Sequence, residues 1–218
     1  MSTARARTHP RNLASWRRVG LANFVSVSAV GRSIERYLTA CFLADPPVPG
    51  STTGARLVRT EDFDLKNLGL IQKPFLSVFL YRVDFNKTMR ASWSAVGSLD
   101  GRPHLPVDLH FLVTAWANDA DSELKVLGRA MQALETTPIL SGPLLVSAGE
   151  FAPNETIQIV LEDVSTEAVM RVFDSLPTDY KLSLPYIARI ARIDGKAATP
   201  SPPVLTAVSG TAPTLAAT

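Results

Sequence analysis

Apolar positions recur along this chain in two rhythms. Over residues 22–43, Val27, Val30, Ile34, Leu38 and Cys41 follow one another at three- and four-residue steps. That spacing gathers them into one stripe on a helix. The stretch ADPPVPGSTTG at 44–54 ends the helix, because its prolines cannot continue the backbone pattern. The second rhythm is that of strands. A short one is expected at 55–60. PFLSVFLYRVDF at 74–85 is apolar on both faces until Arg82 and Asp84, which predicts a strand buried on both sides for most of its length. A polar excursion follows at 86–104. LPVDLHFLVTAW at 105–116 then alternates with period two. Leu105, Val107, Leu109, Phe111, Val113 and Ala115 share a core face, and Asp108, His110, Leu112, Thr114 and Trp116 share the other.

Asp119 or Asp121 opens a helix that runs to about Glu135, with Leu124, Leu127, Met131 and Leu134 as its expected buried stripe. TIQIVL at 156–161 is a shorter strand. Ser165 caps a helix whose Val169, Val172, Phe173 and Leu176 lie on one side. The last strand, 182–193, contains Pro185, which points to an edge position or a bulge. The pattern predicts an α+β fold: a single mixed, mostly antiparallel sheet with about three helices packed on it. It also divides the chain into a basic extension at 1–20, a folded domain at 21–196, and an arm at 197–218 rich in Ala, Pro, Ser and Thr, with no charged side chain. Such an arm is disordered or is ordered by a partner.

Composition narrows the possible functions. Apolar residues make up 46% of the chain and charged residues 19%, enough to bury a core. A net charge of +2 argues against nucleic acid as the partner of the whole domain. The charge is uneven, however, since residues 1–34 hold six arginines and no acid. The start is therefore either an arm for an acidic partner or a solvated tail. One cysteine, Cys41, forbids an internal disulfide and a paired-cysteine zinc site, and suits synthesis in the cytoplasm. Its place on the first helix stripe makes it a buried, inert thiol. No apolar run reaches the roughly 18–20 residues of a membrane span.

The candidate chemistry lies at 105–124. Asp108 and His110 form a D-x-H pair on one strand face, and Asp119, Asp121 and Glu123 follow. One reading is a small metal-assisted hydrolase using this pair and one of the later acids. Against it, two ligands are too few for a metal site. No G-x-S-x-G, P-loop, G-x-G-x-x-G or H-E-x-x-H pattern accompanies them. The later acids also sit where a helix begins, where carboxylates satisfy free backbone N–H groups. The other reading is a protein–protein contact, with Trp116 as an aromatic anchor among polar neighbours Asp108, His110 and Thr114. Arg82, Asp84, Asn86 and Arg90, just past a buried strand, either anchor the loop after them or face a neighbouring subunit.

Three segments carry a family resemblance. FLSVFLYRVDFNKTMRASW, then LPVDLHFLVTAWANDADSELKVLGRAMQALETTPIL, and later VMRVFDSLPTDYKLSLPYIARIARID resemble the cap proteins, or tail terminators, of extracellular contractile injection systems. These are phage-tail-like particles such as the anti-feeding prophage. The similarity spans roughly residues 22–194, and it departs from the family pattern at Ala91, where an Asn is expected. The resemblance implies a non-enzymatic protein with no cofactor and no metal. It implies a homohexameric ring on the end of the particle away from the baseplate, touching the terminal inner-tube ring and the terminal sheath ring. The protein would be made in the bacterial cytoplasm and become part of a particle that is released or stays inside. Subunit-contact candidates are then the two clusters just named, together with Arg189 and Arg192 on the last strand.

Overall fold

The computed structural model describes residues 22–90 and 103–195. The proposed extension at 1–20, the arm at 197–218 and most of the polar excursion lie outside these residues. In chain order the elements are α1 (Ser26–Ala44), β1 (Gly54–Val58), α2 (Leu65–Gly69), β2 (Phe75–Phe85), α3 (Lys87–Arg90), β3 (His104–Trp116), α4 (Ala120–Thr136), β4 (Ile139–Ser141), β5 (Thr156–Leu161), α5 (Thr166–Phe173) and β6 (Ser183–Asp194). The strands form one sheet in the order β1-β2-β3-β6-β5-β4. Among the described strands, β1 and β2 run parallel and the other pairs are antiparallel.

The alternation along β3 separates two cores. Val107, Leu109, Phe111, Val113 and Ala115 join α1 and α4 in a large core on one face. Leu112 and Trp116 enter a second, smaller core on the other face with Phe63, Leu68, Phe75, Phe79, Val169 and Phe173. α5 and the turn before α2 cover that second face at one end of the sheet. The helix caps follow the sequence. Asp119 Oδ1 accepts from Ser122 N at 2.8 Å, and Ser165 Oγ accepts from Ala168 N at 3.2 Å. The amide and hydroxyl of Ser122 hold the Asp119 carboxyl below its usual range.

Three expectations are corrected. First, the buried face of α4 is Val126, Leu127, Ala130, Ala133 and Leu134, while Leu124 and Met131 are exposed. The two alanines let α4 approach α1 closely enough for Tyr37 OH to donate to Ala133 O at 2.7 Å. Second, β6 lies inside the sheet, between β3 and β5. Pro185 O accepts from Glu162 N at 2.8 Å, so its backbone polar edge faces the end of β5. The missing N–H therefore takes nothing from the pairing with β3. The bulge in β6 falls further on, between the Leu109–Ala188 and Val107–Ala191 pairs. Third, β4 is an additional strand, too short at three residues to show a period.

Candidate functional site

At its far end, the second face of the sheet lies beyond α5 and carries a polar groove of about 640 Å³, with Lys87 and Thr88 of α3 in its lining. A bulge makes this possible. The β2–β3 register shifts between Leu80 and Arg82, leaving Tyr81 as the extra residue. Without it, Arg82 would continue the period of Leu76, Val78 and Leu80 toward the large core. With it, Arg82 pairs with His110 and Asp84 with Asp108, so Arg82, Asp84 and Asn86 share the His110 side. Ile187 pairs with His110, and Arg189, two residues on, lines the same groove. Glu162 continues β5 by one residue and brings its carboxylate over the same face.

His110 is the centre of this arrangement and only 3% exposed. Its Nδ1 lies 2.8 Å from Glu162 Oε2 and its Nε2 lies 3.3 Å from Asp84 Oδ2. The Arg82 guanidinium lies beside the ring, 3.0 Å from Nδ1 and 3.2 Å from Nε2. Arg82 also donates to Glu162 Oε1 at 3.2 Å and pairs with Asp84 Oδ2 at 3.0 Å. Tyr81 packs edge-on against the imidazole, and its hydroxyl is pushed up by burial and by the nearby Glu162. Asp84 and Asp108 face each other across the strands, an unfavourable pairing of like charges. Separate partners offset it: Arg82 and His110 serve Asp84, and Asn86 Nδ2 donates to both oxygens of Asp108 at 3.3 and 3.1 Å. Asn86 Oδ1 accepts from Met89 N at 3.0 Å, fixing the start of α3, whose Arg90 lies over the Phe85 ring.

Chemically, this is a closed ion-pair network. Both imidazole nitrogens already face carboxylates, so neither is directed at a ligand in the groove. Among the described residues, no group of three or more His, Cys, Asp or Glu side chains is placed to hold a metal ion. Nor does any described helix have the length and apolarity to cross a membrane.

The other expected contact residues go elsewhere. Thr114 is fully buried and Trp116 is 5% exposed, both covered by this chain itself. A buried polar chain explains them. Trp116 Nε1 donates to Ser77 Oγ at 2.9 Å, Ser77 Oγ donates to Thr114 O at 3.2 Å, and Thr114 Oγ1 bonds Ser183 Oγ at 2.7 Å. Their polar atoms are satisfied internally, so a strand face that looks mixed in sequence is dry here. Lys181 closes this end, with Nζ 4.9 Å from the Trp116 ring centre and paired with Glu123. Arg192 lies apart, 2.9 Å from both Glu155 and Asp194, in a cluster that includes His104.

Sequence reasoning missed Glu162, the residue that completes the network, and the cluster of His104, Glu155 and Asp194. Glu162 lies 52 residues from His110, and no spacing rule connects the two; only the β5–β6–β3 strand order does.

The family model described as the Pvc16 N-terminal domain matches residues 30–207. No curated protein matches the chain. Among solved structures, it is similar to a sheath/tube terminator, in the extended state, of an extracellular contractile injection system named PVC: 18% identity, TM-score 0.49, covering 83% of this chain and 64% of that one. It is also similar to the tube-terminating cap of the anti-feeding prophage: 17% identity, TM-score 0.47, covering 83% of this chain and 59% of that one. The chain thus spans less than two thirds of either structure's length.

Proposed function

The chain belongs to the family of the Pvc16 N-terminal domain, and from that premise we propose that it is a structural cap on a contractile, phage-tail-like injection particle. It sits on the end away from the baseplate and stops the growth of tube and sheath. The family match carries this reading, since it takes in every strand of the sheet and all but the first turn of α1. The Tyr81-Arg82-Val83 and Asp108-Leu109-His110 strings support it from the sequence side.

The physical role fits the fold. Tubes and sheaths grow by stacking rings head to tail, an interface that does not close on itself. A terminator binds the last ring and presents no equivalent surface above it. A ring of six copies sums modest contacts, because each one after the first is effectively intramolecular. The contact candidates still on the surface are Arg82, Asp84, Asn86, Arg90 and Arg189, with Asp108 and His110 behind them. They meet a neighbouring subunit or ring with fixed charges rather than perform a reaction, and no cofactor takes part. The folded domain expected at 21–196 forms the cap body. Made in the cytoplasm, the protein ends up in the particle.

Omitting this chain during particle assembly tests the proposal. Negative-stain images are expected to show tubes of irregular length or sheaths contracted early. Particles of normal, uniform length without it would overturn the reading.

A further inference from the structure

The polar groove keeps two cations that its own acids do not engage. Each of its three carboxylates already has a donor: Arg82 and His110 serve both Asp84 and Glu162, and Asn86 serves Asp108. Lys87 and Arg189 also line the groove, and both are exposed. Neither has an ion pair or a side-chain hydrogen bond among the described residues. Arg189 sits in the β6 bulge, and Arg90 of α3 lies over the Phe85 ring without a carboxylate partner. The charge left unanswered at this end of the sheet is therefore positive, beside a Phe85 side chain that is half-exposed.

We infer that the groove receives the tip that follows α5, residues 174–180, from a second copy of this chain. Charge supports that occupant. Asp174 and Asp179 are exposed and have no side-chain partner among the described residues. The cations beside them are taken, Arg171 by Glu167 and Lys181 by Glu123. No other described loop carries two carboxylates without a partner. Asp174 is also poorly placed for its own fold. It is the C-cap of α5, where a carboxylate meets the negative end of the helix dipole. Tyr180, half-exposed and packed edge-on against Phe173, gives the tip an aromatic side chain to set against Phe85. Position supports it as well. α5 covers one end of the second face and the groove occupies the other. From Asp108 to Trp116 along β3 is eight residues, about 27 Å. Two different patches at opposite ends of one face make a head-to-tail contact, which repeats from copy to copy and closes into a ring. The inference rests on the cap reading for the ring, while the two surfaces stand on their own charges.

Sedimentation velocity of the full chain tests it with two charge-reversed variants, Asp174→Lys/Asp179→Lys on the tip and Lys87→Glu/Arg189→Glu on the groove. The wild type is expected to sediment as a closed oligomer. Each variant alone is expected to associate about tenfold more weakly or worse and to run as a monomer, because its own tip and groove then repel. An equimolar mixture of the two is expected to recover the wild-type mass, since every groove again meets a tip of opposite sign. That recovery also shows that both variants are folded. A monomeric wild type, a variant that keeps the wild-type mass, or a mixture that stays monomeric would overturn the inference. The cap reading fails on a different result, normal particles without this chain, and that result leaves the contact standing.

Discussion

The two ends of β3 present the same face and the same alternation, yet they reach opposite outcomes. At Leu112–Trp116 the polar atoms are sealed under α5 and satisfied one by one by Ser77, Thr114 and Ser183. At Asp108–His110 no residue of α5 lines the site, and charged groups from three other strands converge on a groove. A polar residue on a strand thus becomes a core strut or a surface contact according to which distant element lies over it. The Tyr81 bulge belongs to the groove end alone, and it is what brings Arg82 to His110.

This contrast yields graded expectations. Trp116→Ala removes the largest side chain of the smaller core and is expected to cost about 3–5 kcal/mol in urea unfolding. A loss below about 1 kcal/mol would mean that end is not core. Alkaline titration comes next, through a tyrosine on the opposite face of the sheet. Burial and Glu135 push Tyr186 up to about 12. The folded state favours the neutral phenol, so its contribution is present below about pH 10, the ordinary tyrosine value. It is lost as pH rises from there through about 12, for a decline of about 2–3 kcal/mol. Tyr186→Phe should remove most of that decline. Ser77→Ala strands the buried Trp116 Nε1 and should cost about 1–3 kcal/mol, read as a shift in the urea midpoint with unchanged slope. Asp84→Ala, at the groove end, breaks a half-exposed ion pair and should cost less than about 1 kcal/mol. If it instead rivals Ser77→Ala, the groove network is structural and the distinction between the two ends fails.

Local rhythm made most of the fold legible. The stripe of α1, the buried first half of β2, the alternation of β3 and the caps at Asp119 and Ser165 all depend on neighbours a few residues away. Long-range geometry was not legible. The α4 face turns on Ala130 and Ala133, whose value is closeness of approach rather than bulk, so a search for large apolar residues settles on Leu124 and Met131 instead. Pro185 suggests an edge only until the position where β5 stops is known. At the candidate site, strand period grouped Asp108 with His110 and Asp84 with Asn86, but only the Tyr81 bulge joins the two pairs. Glu162 left no local signal, and Trp116 was misplaced because an aromatic among polar residues looks the same in sequence whether a neighbouring subunit or the chain's own α5 covers it.

The decisive measurement is a cryo-electron microscopy map of the intact particle, fine enough to trace this chain. The expected result is a ring of this protein at the tip away from the baseplate, with the Arg82, Asp84 and Arg189 surface against a neighbouring subunit or ring. A tip without this chain, or a ring in which that groove faces open solvent on every copy, would contradict it.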